Sequence, residues 1–228
     1  MKRWLILTVS AIVLAVTASL VIFINRADWL PENVPTHWGV SGQPDRFTSR
    51  DALLPILLLP PGLLLFLLLL GLVLPWLSPV QFKIEPFAAT YYYIFEILTI
   101  LLAYLHVMIL AAYLGWVVTV DRWIIAGLLL MMILLGNVLG KVRRNFWVGV
   151  RTPWTLASEV VWTRTHRLAA WLFVLSSLLG LVLLLTSLPS VVALIPFLAG
   201  SLAPVVYSLI LYKSLERQGK LDQPQPLP

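Results

Sequence analysis

The sequence has no cysteine. Disulfides, thiolate nucleophiles and cysteine-based metal sites are therefore excluded. Charge is scarce as well. Only 11% of the 228 residues are charged, against about 25% in a soluble domain. A soluble globule of this length cannot cover its surface with so few. Disordered chains need low hydrophobicity, and 60% of this chain is hydrophobic. An all-α integral membrane protein is what remains. Acidic residues are scarcer than basic ones, 10 against 16, for a net charge of +6. In a soluble protein that surplus would point to nucleic acid. Here it first records which side of a bilayer the loops occupy, and no direct nucleic-acid contact is expected.

What is present is long apolar runs. A helix needs about 20 apolar residues to cross about 30 Å of hydrocarbon. Six runs qualify: 4–24, 52–77, 87–118, 123–140, 168–187 and 191–212. The first follows Met1-Lys2-Arg3, as a signal peptide would, but it is longer than the usual 7–15 apolar residues. It lacks a clear small-x-small cleavage site and reads as an uncleaved span. The expectation is a six-transmembrane-helix bundle forming one domain over 1–217, followed by a flexible polar tail over 218–228.

With the N-terminus inside, twelve cations fall on the inner side: Lys2, Arg3, Lys83, Lys141, Arg143, Arg144, Arg151, Arg164, Arg167, Lys213, Arg217 and Lys220. Four fall outside: Arg26, Arg46, Arg50 and Arg122. Positive charge concentrates on cytoplasmic loops, so both termini are expected in the cytoplasm. Pro55, Pro60 and Pro61 in the second run, and Pro196 and Pro204 in the sixth, each remove an amide donor and tend to kink a helix. Such kinks are either tolerated or line a cavity.

Residues 25–51 form the largest outer segment. Pro31, Pro35, Gly39, Gly42 and Pro44 impose turns, and a long loop without regular structure is often functional. His37 sets a titratable ring beside the flat surface of Trp38. The loop is either a cap over the bundle, held shut by Asp45 and Arg46, or the first contact for an external ligand, with His37, Trp38, Asp45 and Arg46 as its binding residues.

Residues 141–167 form the largest inner segment. Thr152-Pro153 is a plausible helix start, with Pro153 at the first position, and Thr155 is a competing cap. Glu159, Trp162, Thr163 and His166 then share a helix face. That face docks a partner, binds lipid headgroups or braces the loop. Basic residues beside a span favour anionic lipid by about 1 kcal/mol each. A catalytic Glu159–His166 dyad is the weaker reading, because the two lie two turns apart and only Thr163 stands between them as a nucleophile. No catalytic residue is assigned.

The third run carries Glu96 and His106. Ionisable residues at membrane depth are costly and default to a functional hypothesis. Tyr92, Glu96, Thr99, Ala103, His106, Leu110 and Tyr113 recur at intervals of four and three, which is one helix face. Glu96 and His106 stand about 15 Å apart along the axis. Asn137, or the cations Arg143 and Arg144, are the expected partners of Glu96. Gly136 and Gly140 form a small-x-x-x-small pair for close helix approach. The stripe is a hydrogen-bonded seam or the lining of a ligand or proton route. The three histidines lie at three depths, so no metal site is expected, and no nucleotide or hydrolase motif calls for a cofactor.

Two segments resemble a known family. Leu30-Pro31, then Pro35-Thr36-His37-Trp38 and Gly42-Gln43-Pro44-Asp45-Arg46, resemble the domain of unknown function at the front of SdpI-type membrane proteins. Asn145-Phe146-Trp147-Val148-Gly149-Val150-Arg151-Thr152-Pro153-Trp154-Thr155-Leu156, with Ser158, Trp162 and His166, is similar to that family's second signature. Arg144 stands where the family often has proline, and Ala169-Ala170 where it often has glycine. The resemblance implies a bacterial inner-membrane protein, immunity to a secreted antimicrobial peptide, and signalling by holding a cytoplasmic transcriptional repressor at the membrane. The toxin-facing part would be the His37-Trp38 loop, with the membrane seam as a second candidate. The repressor-facing part would be 151–166. Membrane lipid is the remaining expected partner. The rivals are a transporter or channel using Glu96 and His106, and a membrane enzyme acting on lipid or peptide. The oligomeric state stays open.

Overall fold

The computed structural model describes residues 1–39, 42–117 and 119–221. Val118 of the expected third span and 222–228 of the expected tail lie outside the described residues. Among the described residues, six helices are long and apolar enough to cross a membrane. They are α1 (Lys2–Ile24), α3 (Leu54–Trp76), α4 (Ala88–Tyr113), α5 (Val120–Leu139), α7 (Glu159–Leu184) and α8 (Leu194–Arg217). Two short helices, α2 (Arg26–Trp29) and α6 (Pro153–Ala157), and one hairpin of β1 (Asn33–Trp38) and β2 (Pro44–Ser49) complete the framework. An even number of crossings puts both termini on one side. We call that side the terminal face and the other the hairpin face.

The bundle has two halves. In the first, α1, α3 and α4 each pack on the other two. In the second, α5 packs on α7 and α7 on α8. The halves join where α4 meets α5. Near the terminal face they share one apolar core containing Trp4, Tyr91, Phe95, Leu139, Trp162 and Ala169. Mid-depth contacts of Ile97 and Leu101 with Met131 extend that junction. Towards the hairpin face the core divides. Ile22, Leu30, Val34, Leu53 and Leu57 form a cluster within the first half. Ile125, Leu129 and Ala193 form another within the second.

Several span boundaries move. The fourth crossing expected at 123–140 is Val120–Leu139, and the third stops at Tyr113. The fifth begins nine residues early, at Glu159, because Ser158 caps it by accepting the Val161 amide at 3.3 Å. The last nine residues of the expected inner segment are thus the opening turns of a spanning helix.

The prolines do not break their helices. Pro55 and Pro196 sit in the first turns of α3 and α8, where an amide has no partner to lose. Pro60, Pro61, Pro75 and Pro204 lie inside continuous helices. Pro61 leaves the Leu57 carbonyl without its amide, and the Ser19 hydroxyl of α1 donates to that carbonyl at 2.8 Å.

The outer segment also differs from expectation: it contains an antiparallel hairpin. Asn33 pairs with Ser49, Val34 with Thr48, Pro35 with Phe47, His37 with Arg46 and Trp38 with Pro44, with register shifts around His37. Pro35 is tolerated because a two-stranded sheet is all edge. Such a hairpin is marginal alone. Here Val34 is fully buried among Ile22, Leu30, Leu53 and Leu57. Gly42 turns the chain with φ +77°.

Candidate functional site

Where the core divides on the hairpin face, a cavity of about 630 Å³ opens. The hairpin forms its roof with Thr36, His37, Trp38, Gly39 and Asp45. Ile109 of α4 stands on one side. Asp121, Ile124 and Ile125 of α5, with Ser190 and Val191 of the turn before α8, close the other. His37 Nδ1 lies 2.5 Å from Asp45 Oδ1. A carboxylate only accepts, so that nitrogen carries the proton. This pair ties β1 to β2, replacing the expected closure by Asp45 and Arg46. Arg46 is exposed and does not line the cavity. Asp121 and Ser190 went unrecognised in the sequence. An acidic residue in the first turn of a helix ordinarily answers the helix dipole, and their approach to the hairpin is a tertiary fact.

The membrane seam forms, but between α1 and α4. Arg3 Nε is 3.5 Å from Glu96 Oε1, the arginine being exposed and the carboxylate about 10% exposed. Thr8 and Thr99 hydroxyls are 3.1 Å apart, and each also reaches its own i−4 carbonyl. Each has one proton, so one bridges while the other bonds back. His106 Nε2 lies 3.2 Å from Ser19 Oγ and 3.3 Å from the Ala15 carbonyl. Ser19 spends its proton on Leu57, so Nε2 is the protonated nitrogen. Tyr92 is half-buried and its ring stands 5.4 Å from that of Trp4.

Arg3 takes the place of the partners expected for Glu96. Asn137 is exposed on α5, Arg143 is exposed, and Arg144 pairs with Glu159 at 3.2 Å. Gly136 lies against the Ala170 carbonyl and Phe173 of α7, while Gly140 faces open space. Trp4, Thr8, Ala15, Ser19 and Ile22 are the buried residues of α1. Their spacing of four, seven, four and three residues is the signal for the seam's second wall.

On the terminal face, residues 141–158 fold into a tight knot. Asn145 is fully buried. Its Oδ1 accepts the amides of Trp147 and Val148, both at 2.7 Å, and its Nδ2 donates to the carbonyls of Arg143 and Val148. Thr152 caps α6, with Pro153 at the first position and Thr155 completing a reciprocal capping box. Thr152 also contacts Ser208 of α8 at 3.0 Å. His166 Nε2 accepts the Val150 amide at 3.0 Å, and Nδ1 donates to the Trp162 carbonyl at 2.8 Å. The imidazole therefore has no nitrogen free for Glu159. Trp162 stacks on His166 at 4.0 Å and donates to the Val142 carbonyl. Trp147 donates to Ser78 at 2.8 Å, tying the knot to the segment between α3 and α4. The shared helix face expected for Glu159, Trp162, Thr163 and His166 separates: Trp162 and His166 are buried, while Glu159 turns to Arg144. Arg143, Phe146, Arg151 and Pro153 remain exposed, with Trp154 half-buried.

Residues 141–210 match the SdpI/YfhL protein family, and residues 11–65 match a domain of unknown function, DUF1648. The chain is 28% identical over 165 residues to "Immunity protein SdpI" of Bacillus subtilis (strain 168), covering 72% of this chain and 73% of that one. The chain is thus similar to SdpI-type proteins in both segments. No solved structure matches it. The SdpI/YfhL match begins at the knot and runs through α7 into α8. The DUF1648 match takes in most of α1, the hairpin and the first part of α3. The family's two segments thus supply the terminal-face knot and the hairpin that roofs the cavity. The six crossings, with the similarity to SdpI, fit a multi-pass protein of the bacterial inner membrane. Among the described residues no group of three His, Cys, Asp or Glu can hold a metal ion.

Proposed function

We propose that this chain, like the immunity protein it resembles, protects its host from a secreted antimicrobial peptide and reports the peptide's presence to a cytoplasmic transcriptional repressor. The cavity under the hairpin carries the reading: it combines an apolar wall with carboxylates and an indole, and it is the meeting place of both halves. In this reading the terminal face is cytoplasmic, as the distribution of cations favours. The peptide enters from outside and contacts His37 and Trp38. The bundle transmits occupancy because the halves share a core only from mid-depth to the terminal face. A bound peptide shifts the balance of states only if it binds them unequally, and a cleft between two halves provides that difference. The repressor meets the exposed residues of the knot, Arg143, Phe146 and Arg151, while Asn145, Thr155, Trp162 and His166 hold their shape from beneath.

A sensitive strain expressing the chain and challenged with the toxin of its native host tests this. His37→Ala and Trp38→Ala should lower survival at least tenfold at equal membrane levels. Wild-type survival in both would remove the cavity from the function. Arg143→Glu with Arg151→Glu should keep protection and lose toxin-induced reporter transcription. Full induction in that variant would sink the signalling half.

A further inference from the structure

We infer that the hairpin-face cavity selects a cationic, amphipathic peptide, seating an ammonium or guanidinium group against Asp121 with its aliphatic stem on Ile109, Ile124 and Val191. This deepens the functional reading above by naming the chemistry of the ligand at that site.

The argument starts from the cations of this face. Arg26 pairs with Asp51 at 2.8 Å. Arg50 donates to the Ala27 and Leu30 carbonyls at 3.0 and 3.1 Å. Arg122, although next to Asp121 in sequence, turns away and donates to the carbonyls of Leu184, Thr186 and Leu188 beyond the end of α7. Adjacent helical residues do not face each other, so Arg122 leaves the neighbouring carboxylate alone. Asp45 is engaged by His37. The Asp121 carboxylate makes no hydrogen bond or ion pair with any described residue, yet it lines the cavity and lies directly beneath Gly42. A Cβ on Gly42 would stand 2.8 Å from the Asp121 carboxylate. The turn therefore packs onto this side chain and holds it in the wall.

The remainder of the wall is apolar. An anionic ligand would meet carboxylates, and a purely apolar one would bury them without compensation. A lysine or arginine side chain satisfies both parts, because its methylenes cover apolar surface while its head reaches a charge. An amphipathic peptide presents such side chains beside leucine- or isoleucine-like ones.

The test uses the purified full-length protein in neutral detergent and two synthetic probes of equal length, a leucine–lysine peptide and a leucine–glutamate peptide. Titration calorimetry should find the lysine peptide at least tenfold tighter. Asp121→Asn should weaken it about three- to tenfold, and Asp121→Lys should reverse the preference. Val191→Trp, which fills the cavity and leaves its charge, should also weaken the lysine peptide. Thermal unfolding of each variant controls for folding. Equal binding of both probes, or an Asp121→Asn or Val191→Trp variant that binds the lysine peptide as wild type does, would overturn the assignment. The outcome needs no toxin. Charge-selective binding together with unimpaired survival of the His37 and Trp38 variants would remove the immunity reading and leave this one standing.

Discussion

Asn145 makes four hydrogen bonds to backbone groups within three residues of itself. Only asparagine and glutamine offer an acceptor and two donors in one plane, and glutamine's longer stem would displace them from these partners. Asn145→Ala would orphan two partly buried amides and two carbonyls. The expected loss is at least about 2–3 kcal/mol, read as a lower unfolding temperature of the detergent-solubilised protein. Gly149 is the second fixed point. Its φ is +116°, and a Cβ there would lie 2.2 Å from His166 Nε2. Gly149→Ala should destabilise by about 1–3 kcal/mol, and an unchanged melting curve would contradict the packing described. The family signature, taken residue by residue, is therefore largely a set of internal constraints. Its caps at Thr152 and Pro153 were legible in the sequence because capping is local. The role of Asn145 was not, since an asparagine followed by Phe146 and Trp147 has no spacing that announces a folded turn.

At the scale of elements, α3 and α1 depend on each other. Ser19 covers the carbonyl that Pro61 frees, and in doing so it fixes the hydrogen on His106. Ser19→Ala should cost about 1–2 kcal/mol. Pro61→Ala restores an amide to Leu57, so the double variant Ser19→Ala/Pro61→Ala should lose less than the sum of the single changes. Strict additivity in thermal unfolding would mean the two residues are uncoupled. The helices themselves were readable from length and hydropathy. The hairpin was not: Pro31, Pro35, Pro44 and two glycines punctuate it like a loop, and its strand pairing rests on Val34 reaching a core built by three other elements. The polar stripe of α4 is legible as one helix face, but its partner is α1 and not the α5 end that was expected, because sequence spacing describes one helix and says nothing of its neighbour.

For the whole molecule, the six crossings put the hairpin and the knot on opposite sides. The absence of native cysteine makes that directly measurable. Phe47→Cys lies on the exposed part of β2 and Arg151→Cys on the knot. With the terminal face in the cytoplasm, an impermeant maleimide should label Phe47→Cys in intact cells and Arg151→Cys only after permeabilisation. The opposite pattern would invert the topology. The cavity belongs to this scale as well. Its walls come from the hairpin, α4, α5 and the turn before α8, and no stretch of sequence contains them together. His37 and Trp38 were recognisable because both lie in one segment, whereas Asp121 and Ser190 entered only through assembly.

The freed Leu57 carbonyl also bears on how the protein is made. An uncovered carbonyl in hydrocarbon costs several kcal/mol. Chains emerge from the ribosome N-terminus first, so α1 with its Ser19 hydroxyl is in place before α3 is complete. The proline pair can then enter the bilayer beside a donor already waiting for it. Transplanting α1 behind α3 in a permuted chain would deprive the nascent helix of that donor at the moment of insertion.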